Sequence, residues 1–280
     1  MGDWTPTEPG FDAAFARTDD PMLAMCKGEL PAVVLRGAYD ATQCPPLLRR
    51  FTDMGLMRDA EGLLRGEQVS KDARTRIDIG TSLGNRGGDK ERFLQHAEAT
   101  HHLFRFLFDG YDNPVDTIYD ALARLSVGKT VKTAEEPDGR RYGPAIFRVH
   151  YEGHTYKPHI DHVQLREGRV DYAVHRYQHQ FAGVLCFQND ARVGTGTEAT
   201  LHDCLWTPEI QPHIAAGTFP DYAAANDVDN CRVALEVGDL YFFNTRLIHE
   251  VPAVKQEQAR IVLAVFIGYD PDMDEVFVWS

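Results

Sequence analysis

The chain is poor in cysteine, short of basic residues and without a long apolar run. Its five cysteines are odd in number and no two form a Cys-x-x-Cys pair, which argues against a disulfide framework and a zinc knuckle. The formal net charge of −13 disfavours nucleic acid or an anionic membrane as a partner, because both repel an acidic surface. No apolar stretch approaches the length of a membrane span, and the first residues lack the basic and apolar segments of a secretory signal. We therefore expect a cytoplasmic protein that binds neither nucleic acid nor membranes.

The composition is that of an ordinary folded protein. With 280 residues, of which 43% are hydrophobic, the chain can bury a core without disulfides or a structural metal. The sequence predicts one domain over residues 1–280, with a mostly helical flanking region at 1–142 and a β-rich core at 143–280. A separate helical domain is the less favoured alternative, because no flexible linker divides the two parts.

Helices are predicted in the first part of the chain. Apolar residues recur with helical periodicity over 89–109, and Asp89 is placed to cap the first turn. A second helix is predicted over 113–125, because Asn113 caps well and the proline after it is tolerated in a first turn. A shorter amphipathic helix is predicted over 45–57.

Strands are predicted in the second part. The segments rich in β-branched and aromatic residues are 145–151, 181–187, 232–236, 239–244 and 260–267. They are short, roughly regular in spacing and separated by Gly, Asp and Pro turns, which is typical of a sandwich or barrel.

The most informative motif is His159-x-Asp161, followed ninety residues later by His249. Residues two apart on a strand project from the same face, so the first two side chains can meet at one ion. Two imidazoles and one carboxylate suit Fe(II) and leave open positions on the metal. With twelve histidines in the chain such a triplet can arise by chance, so the surroundings carry much of the argument.

Those surroundings are ordered and β-like. The run from Tyr241 to His249 is predicted as a strand, and Arg260 lies eleven residues beyond that histidine on the next β segment. A hairpin between the two runs would return Arg260 to the metal side, where a guanidinium can bind a dicarboxylate in bidentate fashion. Arg246 and Lys255 are the alternatives for this role.

The ensemble Tyr156-x-x-His159-x-Asp161, His249 and Arg260 resembles the iron(II)/2-oxoglutarate-dependent oxygenases over roughly residues 143–270. The resemblance implies a mainly β fold, in which a double-stranded β-helix of the jelly-roll or cupin type carries flanking helices. It also implies Fe(II), the cosubstrate 2-oxoglutarate and O2 as cofactors.

Site roles follow from the same resemblance. The metal ligands would be His159, Asp161 and His249, and Arg260 would pair with the distal carboxylate of 2-oxoglutarate. Either Tyr151 or Tyr156 would add a hydrogen bond to the cosubstrate, with packing as the alternative role for each. The nearby His150, His154 and His162 are predicted as surface residues, or as groups that orient a ligand.

A narrower resemblance concerns small oxygenases that halogenate or hydroxylate free amino acids. It is carried by the segment 76–84, the helix from Asp89 and Trp279. Halogenases of that group have Gly or Ala in place of the iron-bound carboxylate, whereas this chain has Asp161, so the resemblance implies hydroxylation. In this interpretation Arg76 would bind a substrate carboxylate and Trp279 would wall the substrate pocket, with an ordinary loop and a packing residue as the alternatives.

Other functions remain open at this point. A cupin-like metal-binding protein or isomerase would use the same ligands without O2. A zinc hydrolase would use them with a metal-bound water, although no general base stands nearby in the sequence. The sequence predicts a small-molecule substrate without naming it, and it gives no oligomeric state.

Overall fold

The computed structural model of the protein describes residues 4–59, 62–64, 74–189, 198–255 and 258–280. Eight α-helices occur in these ranges: α1 (Phe11–Arg17), α2 (Pro21–Cys26), α3 (Cys44–Asp53), α4 (Leu83–Arg86), α5 (Lys90–Leu107), α6 (Pro114–Leu125), α7 (Gln211–Ala216) and α8 (Phe219–Ala225). None of the described helices is long and apolar enough to cross a membrane.

Twelve strands are described: β1 (Ala32–Leu35), β2 (Arg76–Ile79), β3 (Thr130–Thr133), β4 (Ile146–His150), β5 (Tyr156–His159), β6 (His179–Gln188), β7 (Ala199–Leu205), β8 (Asn230–Val233), β9 (Leu240–Asn244), β10 (Leu247–Val251), β11 (Arg260–Tyr269) and β12 (Glu275–Trp279).

The strands form two sheets. The main sheet has eight strands in the order β1-β9-β6-β11-β12-β3, and β4 also pairs with β11 and then with β2. The small sheet has four strands in the order β5-β10-β7-β8. Neighbours are antiparallel except β12 and β3, which run parallel. The predicted class, mainly β with flanking helices, is confirmed.

The predicted helices at 89–109 and 113–125 appear as α5 and α6, and the one at 45–57 appears as the shorter α3. Both predicted caps form: the Asp89 carboxylate accepts from the N–H of Arg92, and the Asn113 side chain accepts from the N–H of Val115. Each predicted strand segment overlaps a strand, although the segment 232–236 shares only its first two residues with β8. The flanking region also supplies β1, β2 and β3 to the main sheet, which the periodicity did not predict because these strands are only four residues long.

One strand prediction is wrong. The run from Tyr241 to His249 is two strands, β9 in the main sheet and β10 in the small sheet, joined by Thr245 and Arg246. The composition is β-like throughout, so it could not show that the chain changes sheets there. The consequence is that His249 faces the main sheet across the sandwich.

The outer face of the main sheet is fixed by aromatic packing. On β4 the ring of Phe147 meets Phe51 of α3, Phe104 of α5 and Phe187 of β6 at centroid separations of 4.8, 6.1 and 4.9 Å. Because side chains alternate along a strand, Ile146, Arg148 and His150 then face the small sheet. The helical layer therefore orients the polar side chains of β4 into the sandwich.

The Asp89 cap gives a test of the local sequence–structure relation. Asp89→Ala removes the acceptor of the Arg92 N–H bond at 3.0 Å and should lower the free energy of unfolding by about 1 kcal/mol. Chemical denaturation measures this value, and Asp89→Asn, which keeps an acceptor, should stay close to the parent protein. Equal losses in both variants would show that the cap bond contributes little.

Candidate metal centre and its pocket

Three side chains converge between the sheets. The possible ligand atoms of His159, Asp161 and His249 all lie within 4.8 Å of one another. Each histidine Nε2 is 3.7 Å from Oδ2 of the aspartate. Two donors that each sit about 2.0–2.2 Å from a first-row metal are at most about 4.4 Å apart, so the separations of 3.7 Å are compatible with one shared ion. Two imidazoles and one carboxylate are the donor set that suits non-haem Fe(II).

Backbone pairing places the two histidines. His159 lies opposite His249 in the antiparallel pair of β5 and β10, with ring centroids 4.3 Å apart. Nδ1 of His159 is 2.7 Å from the carbonyl oxygen of Lys157, and Nδ1 of His249 is 2.8 Å from that of Leu247. A carbonyl only accepts, so both Nδ1 atoms carry the proton and both Nε2 atoms present a lone pair. This is the tautomer that binds a metal through Nε2.

Asp161 is held differently from the expectation. Strand β5 ends at His159, so the aspartate lies in the loop after it. Its backbone N–H donates to the carbonyl of Thr245 at 3.1 Å, and the Thr245 hydroxyl donates to the Asp161 carbonyl at 2.6 Å. Arg166 forms an ion pair with the outer carboxylate oxygen. These two hydrogen bonds between Asp161 and Thr245, here called the Thr245 clamp, attach the loop to the connection between β9 and β10. The loop thereby holds the Asp161 carboxylate beside the imidazoles.

The electrostatics favour a charged carboxylate on Asp161 and a neutral imidazole on His249. Burial raises the pKa of Asp161, but interactions with the imidazoles of His159 and His249 outweigh it and hold this pKa well below the usual range. Burial, and then the neighbouring His159, lower the pKa of His249. An anionic carboxylate beside neutral imidazoles is the protonation state that metal binding needs.

The Thr245 clamp can be tested without removing a ligand. Thr245→Val deletes the hydroxyl and leaves the Asp161 carbonyl without that donor, so we expect affinity for Mn(II) or Fe(II) to fall roughly 10-fold or more. Calorimetry under anaerobic conditions measures the change. Thr245→Ser keeps the hydroxyl and is the matched control. Undiminished affinity in the valine variant would show that the loop holds Asp161 without the clamp.

The triad borders a pocket between the two sheets. Its wall on the main sheet is mostly apolar, and its lining includes Ile146, Ala182, Val184, Tyr241, Phe243, Val262, Ala264 and Phe266. The polar side chains among the lining residues are concentrated on β4, β5 and the start of β11. An apolar pocket with a few convergent polar groups is the usual form of a small-molecule site.

Arg260 enters this pocket from the first position of β11 and is 5% exposed. Its Nη1 is 3.3 Å from Nδ1 of His150, and Nε2 of the same ring is 3.1 Å from the hydroxyl oxygen of Tyr156. Burial, and next the charge of Arg260, hold the pKa of His150 well below its ordinary value. A guanidinium only donates, so the neutral ring accepts at Nδ1 and carries its proton on Nε2. The hydrogen bonds thus run from Arg260 through His150 to Tyr156, and the phenol proton remains available to a ligand.

Comparison with known sequences decides the family. A family model described as carrier-protein-independent halogenase WelO5 matches residues 13–280. The chain belongs to the WelO5 family. This confirms the predicted superfamily of Fe(II)/2-oxoglutarate-dependent oxygenases, together with Fe(II), 2-oxoglutarate and O2 as cofactors. No curated protein sequence matches the chain.

Solved structures with a similar fold include two of one dioxygenase. An N-substituted L-amino acid dioxygenase from Burkholderia ambifaria AMMD has 15% sequence identity and a TM-score of 0.55, with 92% of this chain and 89% of that chain covered. Its complex with alpha-KG gives 14% identity and a TM-score of 0.57 over the same shares of the two chains. At this level of identity the likeness concerns the fold.

Within the WelO5-family chain, the remaining predicted site residues are placed as follows. Tyr156 lines the pocket. Tyr151 is outside it: the backbone N–H of Arg58 donates to its hydroxyl at 3.0 Å, and its ring packs against the core beneath the main sheet. Arg76 is at the margin, with its guanidinium 5.9 Å from the Tyr156 ring and bound to Asp78.

Trp279 is also outside the pocket lining. It is buried behind the wall and packs against Phe266, with ring centroids 6.3 Å apart. The structure therefore brings Tyr156 to the site, but neither Tyr151 nor Trp279. The predicted substrate-binding roles of Arg76 and Trp279 stay predictions.

Sequence reasoning missed Arg148 and Thr245, and it favoured a surface position for His150, which is wrong because this residue is buried. Arg148 and His150 alternate with apolar residues on β4, and both line the pocket. Two polar residues at alternate positions of a buried strand were the available signal for this pair. Thr245 gave no such signal, because its role depends on a hydrogen bond to a loop eighty-four residues away.

Proposed function

We propose that the protein is an Fe(II)/2-oxoglutarate-dependent dioxygenase that hydroxylates an unactivated C–H bond of a small molecule, a free amino acid or a related metabolite. The observation that carries this proposal is a complete triad of His159, Asp161 and His249 in one pocket with the buried Arg260. Family membership supports the oxygenase chemistry.

Each polar group has a proposed task. His159, Asp161 and His249 would hold the iron, and Arg260 would bind the distal carboxylate of 2-oxoglutarate through charge-assisted hydrogen bonds. Tyr156, which accepts from His150, would donate its own proton to the same cosubstrate. When bound, the iron couples oxidative decarboxylation of 2-oxoglutarate to succinate with oxidation of a substrate C–H bond. The apolar wall excludes water from the reacting groups.

Hydroxylation is favoured over halogenation by Asp161. The family is described as a halogenase family, and halogenation requires a metal position for the halide. Here a carboxylate stands beside the two imidazoles, 3.7 Å from each Nε2, and is positioned to occupy a metal site itself. With three protein ligands and the cosubstrate bound, oxygen transfer is the reaction that the ligand set supports.

We also propose that the two sheets form the predicted double-stranded β-helix within one domain spanning residues 1–280. Support comes from β1, β2 and β3, which lie in the flanking region yet join the main sheet beside strands of the core. A cytoplasmic location stays a prediction from the sequence.

The deciding experiment is a substrate screen with the Fe(II)-loaded protein, 2-oxoglutarate and O2, beginning with amino acids. Succinate release and product mass are the measurements, and one added oxygen atom is the expected product change. A chlorinated product in the presence of chloride would contradict hydroxylation. Turnover that proceeds without O2 and 2-oxoglutarate would favour the isomerase alternative, and activity retained with zinc would favour a hydrolase.

A further inference from the structure

A second arginine occupies the pocket and is not used by the proposed cosubstrate site. Arg148 lies in the middle of β4 and faces the small sheet. Its Nη1 is 3.4 Å from the Tyr156 hydroxyl oxygen, and its guanidinium carbon is 5.8 Å from the centroid of the Phe266 ring. Its Nε is buried and, among the described residues, has no hydrogen-bond partner.

In the described part of the chain no carboxylate forms an ion pair with Arg148, although Asp78 and Asp161 act on its charge from a longer distance. Asp78 lies opposite it in the pairing of β2 and β4. The two oxygens of that carboxylate are each 2.7 Å from a nitrogen of Arg76, and one also accepts from Asn85 at 2.9 Å. The carboxylate is therefore committed to other donors. A partly buried cation without a paired anion is unfavourably placed, so a ligand anion at this position would be stabilised.

The two pocket arginines serve different ends of the cavity. In the pairing of β4 with β11, Arg260 is opposite His150 and Val262 is opposite Arg148. The two arginines are therefore offset by two residues, or about 6.6 Å along the strands. Arg260 lies at the His150 end, whereas Arg148 lies toward Phe266. A cosubstrate carboxylate held by Arg260 leaves Arg148 free for a second anion.

We propose that Arg148 binds a carboxylate of the substrate and so selects small organic acids with an apolar body. The apolar body would pack against the wall formed by residues such as Val262, Ala264 and Phe266. Recognition of a planar carboxylate by a guanidinium is geometrically specific, because two parallel N–H groups can engage its two oxygens. The proposal rests on the proposed function only in taking the bound acid as the molecule that is oxidised.

Binding tests the proposal without turnover. The protein is loaded with Mn(II) and 2-oxoglutarate and titrated with aliphatic and aromatic carboxylic acids, including amino acids and their N-acetyl derivatives, each beside its primary carboxamide. We expect acids to bind roughly 10-fold to 100-fold more tightly than the matched amides, since the ionic hydrogen bonds are lost in the amide. In Arg148→Gln this preference should disappear, while the dissociation constant of 2-oxoglutarate stays within about 3-fold.

Matched variants make the result specific. Arg148→Lys keeps the positive charge but lacks the paired N–H donors of a guanidinium, so it should retain part of the preference for acids. Arg105→Gln changes an exposed arginine on α5 and should leave both ligands unaffected. Arg260→Gln should weaken 2-oxoglutarate and spare the acid. If Arg148→Gln misfolds, the comparison of acid with amide in the parent protein still shows whether the pocket prefers a carboxylate, and Arg148→Lys still tests the role of this side chain.

Four results would overturn the proposal: equal binding of acids and amides, no binding of any acid, a preference for acids that persists in Arg148→Gln, or loss of 2-oxoglutarate affinity in Arg148→Gln. The proposed function fails separately. If acids bind through Arg148 but no succinate forms with any of them, the anion site stands and the dioxygenase assignment falls. If succinate forms with uncharged substrates and Arg148→Gln has no effect, the dioxygenase stands and the anion site falls.

Discussion

Replacement of His249 by alanine should abolish iron-dependent formation of succinate, with a loss of roughly 1,000-fold or more, or ~4 kcal/mol in the activation barrier. The reason is structural: His249 supplies one of only two imidazoles in the triad, and its Nε2 lone pair faces the carboxylate of Asp161 at 3.7 Å. With only one imidazole and one carboxylate left, we expect the protein to hold the ion far less tightly. Succinate release and metal content after desalting are the measurements.

Two controls separate loss of metal from loss of fold. His213→Ala changes a histidine on α7 that does not line the pocket, and should leave activity and metal content unchanged. Far-ultraviolet circular dichroism of His249→Ala should match the parent protein, and added Mn(II) should no longer raise its melting temperature. An alanine variant that still binds iron and makes succinate would show that the triad is not the metal site.

Replacement of Arg260 by glutamine should raise KM for 2-oxoglutarate roughly 100-fold, because removing one partner of a buried charge pair costs about 2–5 kcal/mol. The guanidinium is 5% exposed and donates to His150, so a cosubstrate carboxylate would meet a cation already oriented in the pocket. Glutamine keeps hydrogen-bond donors but lacks the charge and the fork. Steady-state kinetics with varied 2-oxoglutarate give KM, and calorimetry with the Mn(II)-loaded protein gives the dissociation constant.

Arg246 provides the matched control for this experiment. The sequence left it as an alternative anchor, but the structure places it next to Trp206, whose carbonyl accepts from Arg246 Nη2 at 3.4 Å, and outside the pocket lining. Arg246→Gln should therefore leave KM for 2-oxoglutarate within about 3-fold of the parent. The reverse outcome, with Arg246 sensitive and Arg260 insensitive, would move the cosubstrate site to another part of the fold.

The sequence was sufficient to predict which residue types form the site. It was not sufficient to predict how the backbone brings them together. The sequence argument placed His159 and Asp161 on one strand, and the two side chains converge although β5 ends before Asp161. The two candidate tyrosines could not be ranked from sequence. Strand alternation separates them: Tyr151 follows Val149 toward the helical layer, whereas Tyr156 meets the pocket from the other sheet.

Helices were easier to predict from the sequence than strands, and the reason is physical. A helix such as α5 shows its full periodicity and its cap within one continuous segment, so local sequence is sufficient. The four-residue strands β1, β2 and β3 show almost no period, and their existence depends on partners far along the chain. The same dependence on distant partners hid the Thr245 clamp and the pocket-facing position of Arg148.

The Thr245-Arg246 connection constrains how this protein can vary. The lining side chains on both sides of it, Tyr241 and Phe243 before and His249 and Val251 after, are all at odd positions. Inserting one residue there would exchange the inward-facing and outward-facing positions of β10 and turn the His249 imidazole to the outer surface. Inserting two would restore these positions but displace His249 by about 6.6 Å from its partner across the ladder. The length of this connection is therefore as much a determinant of iron binding as the identity of any ligand.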